Sequence, residues 1–165
     1  MIKKILALIF LLPFFVLAGC SSKSVPTDLV GKKLPVLRLT YADGSYGSSE
    51  SYRGKRQLYI FWAEWCATSR KELAKIRDFA ARTRKRDDIA LVAINVDDLK
   101  KEEKVRTLMQ DYAAPGFVQS YSGNGVYDDA FTALDLNEVP VILTVIEDGT
   151  ITSVTDEFHP EFFDR

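Results

Sequence analysis

Features that mark several functional classes are absent from this sequence. Its longest apolar run, Ile5 to Leu17, has thirteen residues, whereas a helix that crosses a bilayer needs roughly 20. Lysine and arginine total 22 against 23 acidic residues, so no basic excess indicates nucleic-acid binding. The lone histidine, His159, has no second ligand in evidence. We therefore predict no metal site and no cofactor.

The N-terminus has the order of features that an export signal shows. Basic residues in MIKK precede the apolar run, and small residues follow it. The stretch Leu17-Ala18-Gly19-Cys20 resembles the lipobox of bacterial lipoproteins, which implies cleavage after residue 19 and acylation of Cys20. An ordinary secretory signal with a chance cysteine is the alternative. In a bacterium with two membranes, Ser21 favours the outer one. We predict an exported protein that acylated Cys20 anchors to a lipid bilayer.

The remaining chain has the size and composition of one domain. Apolar residues make up 47% of the 165, enough for one packed core. We assign residues 20–33 to the acylated terminus and a polar tether, and residues 34–165 to the domain. If Cys20 carries lipid, Cys66 is the only free thiol, so an internal disulfide is excluded. Cys66 would then react with a partner's sulfur or a small molecule.

Hydrophobic periodicity and turn residues predict alternating strands and helices. Buried or half-buried strands are predicted at residues 34–40, 57–63, 89–96, 117–121, 141–146 and 151–155. Helices are predicted at residues 69–85, 99–112 and 127–134. Asp148-Gly149 between two β-branched runs predicts a hairpin. The order predicts an α/β domain whose mixed sheet is covered by helices.

A family resemblance agrees with this order of elements. The pieces DLVGKKLPVLRL, YADGS, SYRGKRQLYIFWAEWC, RKEL, LVAINVD and EVPVILTVIEDGTI resemble exported thioredoxin-like proteins of the TlpA and ResA type. The resemblance spans residues 31–151. It implies a thioredoxin fold with an N-terminal strand extension and a cis-Pro140 beside Cys66. It also matches Glu72 to an acidic residue that the family keeps near its redox pair, although a charged helix face would also explain this glutamate.

The segment FWAEWCATSR, residues 61–70, places Cys66 between a predicted strand and a predicted helix. Unpaired N–H groups and the positive end of the dipole at a helix N-terminus stabilise a thiolate. We expect Trp62 and Trp65 to flank the sulfur and, with Val139, to form a substrate groove. The alternative is a buried, inert cysteine, since free cysteines are often buried.

Ser69 stands where a second cysteine would complete a Cys-x-x-Cys motif. A hydroxyl can donate a hydrogen bond to the Cys66 thiolate, but it cannot resolve a mixed disulfide. Three functions follow in order of preference: single-thiol exchange with exported proteins or small thiols, a redox-inactive binding module for exported cysteine-containing proteins, and a thiol peroxidase. Candidate catalytic residues are Cys66, Ser69, Glu72 and Pro140, in a protein that we expect to be a monomer.

Overall fold

The computed structural model describes residues 25–164. The predicted signal peptide, the lipidation site at Cys20 and Ser21 lie outside these residues. Within them, no helix combines the length and apolar character that crossing a membrane requires.

A five-stranded mixed sheet forms the centre of the domain. Its strands are β3 (Arg56–Trp62), β4 (Ile89–Asn95), β5 (Phe117–Tyr121), β6 (Val141–Val145) and β7 (Ile151–Thr155), and β1 (Arg38–Thr40) and β2 (Tyr46–Ser48) form a separate antiparallel hairpin. The order in the sheet is β5-β4-β3-β6-β7. Strands β3, β4 and β5 are parallel to one another. Strand β6 pairs antiparallel with β3, and β7 pairs antiparallel with β6. The predicted α/β class and mixed sheet are confirmed.

Helices cover both faces of this sheet. They are α1 (Ala67–Thr83), α2 (Glu102–Asp111) and the short α3 (Asp129–Ala133). Side chains alternate across the pleat of β3, so Leu58 and Ile60 pack with α1 and α2, while Tyr59 and Phe61 pack with α3. Both faces are apolar because both are covered, which explains the continuous apolar runs in the sequence.

Two predicted boundaries at the N-terminal side differ from the structure. The predicted strand at residues 34–40 is reduced to β1, because Pro35 has no N–H and the Leu37 N–H is donated to Ser49 Oγ rather than to a strand. Residues 31–33 fall within the predicted tether, yet the Gly31 N–H is donated to the Ile151 carbonyl at 2.8 Å. These residues therefore pack with the domain.

Candidate functional site

Cys66 lies at the turn that joins β3 to α1. Its side chain is half-buried, and the residue is the N-cap of α1 with extended backbone. The Cys66 N–H is donated to the Ala63 carbonyl at 3.1 Å, closing a tight turn over residues 63–66. The sulfur therefore lies at the N-terminal end of a 17-residue helix, where backbone N–H groups have no partner within the helix.

Two backbone groups contact the Cys66 sulfur. The Ser69 N–H is donated to Sγ at an N–S distance of 3.4 Å, and Sγ–H is donated to the Val139 carbonyl at 3.5 Å. An amide N–H can bond either thiol or thiolate, whereas a carbonyl oxygen accepts only from the protonated thiol. The Val139–Pro140 peptide bond is cis, as the resemblance implies, and the contact with the Val139 carbonyl brings this bond next to the sulfur.

Ser69 does not contact the sulfur in the predicted manner. Its side chain is 0% exposed, and its Oγ has no hydrogen-bond partner within residues 25–164. The backbone N–H of Ser69, rather than its hydroxyl, is directed at Cys66. The expected hydroxyl–sulfur bond is therefore absent from the described structure, because the helix start orients the amide toward Sγ and the side chain toward the interior.

The two tryptophans have different environments. Trp65 is 66% exposed on the turn that carries Cys66, so it can contact a partner. Trp62 is fully buried and packs with Leu73 and Ile76 of α1. The prediction that Trp62 lines a substrate groove is wrong, because Trp62 belongs to β3 and its pleat directs the ring into the core.

Glu72 lies on the buried face of α1 rather than on its charged, exposed face. It is 1% exposed, and its carboxylate accepts hydrogen bonds from Lys75 Nζ at 2.8 Å and from the Phe158 N–H at 2.8 Å. Phe158 also packs edge-on against Phe79 of α1. Glu72 therefore binds the C-terminal segment around Phe158 to α1.

A buried polar cluster beside the turn was not foreseen from the sequence. It contains Glu64, Asn95 and Asp97, each no more than 4% exposed. Asp97 Oδ2 accepts from the Glu64 N–H at 2.6 Å and from Asn95 Nδ2 at 2.8 Å. Burial raises the pKa of Asp97, and the opposing effects of Asn95 and Lys101 do not cancel this shift. The sequence pattern could have predicted this cluster, because polar residues at the carboxyl ends of two adjacent parallel strands meet at the same edge of the sheet.

Among residues 25–164, no group of three or more His, Cys, Asp or Glu side chains could hold a metal ion. His159 is partly exposed and contacts Glu161 at 3.0 Å.

The fold and the position of the cysteine define a thioredoxin-like protein. The thioredoxin domain of a thiol-disulfide oxidoreductase from Bacteroides vulgatus has a similar structure, with a TM-score of 0.66 and 19% identity, over 78% of this chain and 89% of that one. This likeness shows the fold.

The family follows from the sequence comparison. The Redoxin family model matches residues 29–163, so the chain belongs to the Redoxin family. The Thioredoxin-like protein YneN of Bacillus subtilis is 31% identical over 83 residues, which are 50% of this chain and 48% of that protein. The Thiol:disulfide interchange protein HelX of Rhodobacter capsulatus is 30% identical over 87 residues, 52% of this chain and 47% of HelX. The match thus spans about half the length of each relative.

Proposed function

We propose that this protein performs thiol-disulfide exchange through a single sulfur, that of Cys66, on exported proteins or small thiols. The observation that carries the proposal is a half-buried cysteine at the N-cap of α1 that accepts the Ser69 N–H. The only other cysteine of the chain is Cys20. A single reactive thiol at a helix start suits attack on a disulfide and lacks an internal resolving partner.

The reaction has two steps. The Cys66 thiolate attacks one sulfur of a substrate disulfide, a new S–S bond forms, and the other substrate sulfur leaves as a thiolate that takes a proton from water. A second thiol, from the substrate or a small molecule, then attacks the mixed disulfide and releases Cys66. With the substrate's own thiol, the net result is isomerisation. With an external thiol, release of Cys66 leaves that thiol bound to the substrate in a second mixed disulfide. A further external thiol then attacks this bond without Cys66, so the substrate is reduced and the two external thiols become a disulfide.

Export and a lipid anchor at Cys20 are part of this proposal. They are supported by the N-terminal order of basic residues, apolar run and small residues, and by the lipobox-like stretch that ends at Cys20. The partners would then be exported chains that carry cysteines or disulfides.

One observation favours a second candidate, a redox-inactive binding module. Sγ–H is donated to the Val139 carbonyl, an arrangement that needs the protonated, less nucleophilic thiol. In that case, the exposed Trp65 and the backbone near Val139 would hold a cysteine-containing chain without exchange.

Trapping of the mixed disulfide distinguishes the two candidates. The purified protein is incubated with a disulfide-containing protein, quenched with acid and separated without reductant, with Cys66→Ser as the control. Exchange predicts a covalent adduct that maps to Cys66 by mass spectrometry and disappears on addition of glutathione. A complex that forms without any covalent adduct would support the binding module and contradict exchange.

A further inference from the structure

The buried cluster of Glu64, Asn95 and Asp97 has no part in the exchange steps above. It lies at the carboxyl ends of the adjacent parallel strands β3 and β4. Asp97 and Glu64 are separated by 33 residues in sequence but are joined by the hydrogen bond of 2.6 Å between Asp97 Oδ2 and the Glu64 N–H. The cluster therefore connects the turn that carries Cys66 to the β4–α2 connection.

The geometry of the turn explains why this bond matters. The turn over residues 63–66 is closed by the Cys66 N–H and the Ala63 carbonyl, a bond that leaves the Glu64 N–H without a partner inside the turn. Glu64 is 2% exposed, so water cannot replace an acceptor there. A buried backbone N–H requires a protein acceptor, and Asp97 supplies it.

Other contacts hold Asp97 and Glu64 themselves. Asn95 Nδ2 donates to the same Oδ2 of Asp97, and the Asp97 N–H is donated to Asn95 Oδ1 at 2.9 Å. The Glu64 carboxylate pairs with Lys104 of α2, and its Oε2 lies 3.7 Å from Lys101 Nζ. Arg70 of α1 donates to the Glu64 carbonyl. The turn is thus held from α1, from α2 and from the end of β4.

We propose that Asp97 is a positioning residue for Cys66. By holding the Glu64 N–H, it fixes the turn so that Sγ stays at the Ser69 N–H, where a thiolate is stabilised. This inference rests on the proposed reactivity of Cys66, but it does not require that the protein exchange disulfides with any particular substrate.

The test measures iodoacetamide alkylation of Cys66 in the folded protein at neutral pH, with the labelled peptide identified by mass spectrometry. Alkylation needs a thiolate and no disulfide partner, so it decides this proposal even if the trapping experiment finds no exchange. Asp97→Ala should lower the rate by about tenfold or more, since small misplacements of a reacting group have effects of this order. Asp97→Asn keeps an oxygen acceptor and should restore most of the rate.

Asp128→Ala is the matched control. Asp128 is 3% exposed and accepts two backbone N–H groups, those of Ala130 and Phe131, at the start of α3 rather than at the Cys66 turn. Its loss should lower thermal stability and leave the alkylation rate within about twofold of wild type. Equal loss of rate in both alanine variants, a rate in Asp97→Ala equal to or above wild type, or no rescue by Asp97→Asn would overturn the proposal.

A second measurement needs no substitution. The Glu64 amide should exchange its hydrogen slowly in the wild-type protein, with the amides of β3 and β4, because it is buried and bonded. Exchange as fast as that of exposed loop amides would also overturn the proposal, even if Asp97→Ala does not fold.

Discussion

Replacing Ser69 with cysteine tests the mechanism most directly. The Ser69 amide nitrogen lies 3.4 Å from the Cys66 sulfur, and both residues belong to the first turn at the start of α1. A cysteine at position 69 would complete a Cys-x-x-Cys pair, the motif of disulfide oxidoreductases, once its sulfur turns from the interior toward Cys66 Sγ. Ser69→Cys should therefore form an internal disulfide with Cys66 on oxidation.

The expected effect on stability follows from burial. The Ser69 hydroxyl is fully buried without a partner in the described structure, and a buried unsatisfied polar group costs about 1–3 kcal/mol. A reduced cysteine behaves as a small apolar residue. The free energy of unfolding of Ser69→Cys and of the control Ser69→Ala should therefore be no lower than that of wild type, and up to about 1 kcal/mol higher. Urea titrations under reducing conditions measure this difference.

The expected effect on kinetics separates these two variants. Wild type and Ser69→Ala should accumulate mixed disulfides that clear only when a thiol such as glutathione is added. Ser69→Cys should clear them unaided, because an intramolecular thiol can act at an effective concentration of about 10⁵ M or more. The assay follows the adduct by mass spectrometry after acid quenching, and then follows reduction of insulin with an added electron source.

Two results would refute this reasoning at different points. Failure of Ser69→Cys to form an internal disulfide would show that the side chain of residue 69 cannot reach Sγ. Formation of that disulfide without any mixed disulfide in wild type would show that Cys66 does not perform exchange, whatever the geometry of the helix start.

Three further predictions concern other parts of the chain. Burial raises the pKa of Asp97, so its stabilising contribution is full below the unfolded pKa of about 3.9 and is lost as pH rises through the higher folded value. The free energy of unfolding of Asp97→Asn, measured by urea titration, should therefore rise relative to wild type as pH rises above about 3.9; a constant difference would contradict the shift. Glu72→Ala leaves the buried Phe158 N–H without its acceptor and should lower the free energy of unfolding by about 1–3 kcal/mol. The control Glu157→Ala, at an exposed position, should change it little, and equal effects would contradict the assigned contact. Mass spectrometry of the mature N-terminus should show a diacyl or triacyl Cys20, since one chain gives only marginal membrane binding. Cys20→Ser should leave unprocessed precursor, and release of normally processed soluble protein would contradict lipidation.

Local pattern was sufficient to predict the central strands and the position of the cysteine. The apolar runs at residues 57–63 and 89–96 correspond to β3 and β4, each shifted by no more than one residue at either end. The predicted strand at residues 117–121 matches β5. These elements are predictable because burial on both faces leaves a continuous apolar run in the sequence itself. The change to helical spacing after residue 66 likewise placed Cys66 at a helix start.

Long-range contacts decided what the residues around that cysteine do. The sequence motif alone does not distinguish the environments of Trp62 and Trp65, but the pleat of β3 buries Trp62 and the turn exposes Trp65. The sequence does not distinguish Glu72 from other glutamates of a charged helix. Its contact with the Phe158 N–H, 86 residues away, exists only in the folded structure. Ser69 was expected to reach the sulfur with its hydroxyl, yet its backbone makes the contact.

The sequence by itself therefore determined the fold class, the family and the fact that Cys66 has no partner cysteine other than Cys20. These properties depend on composition, on the spacing of apolar residues and on the order of motifs along the chain. The resemblance placed Pro140 beside Cys66, but only the tertiary structure decided that the Val139 carbonyl is the group that contacts the sulfur and that Asp97 accepts the amide of Glu64. Those contacts join segments 33 and 73 residues apart. Their partners are set by how strands align in the sheet, and a local window of sequence contains no record of that alignment.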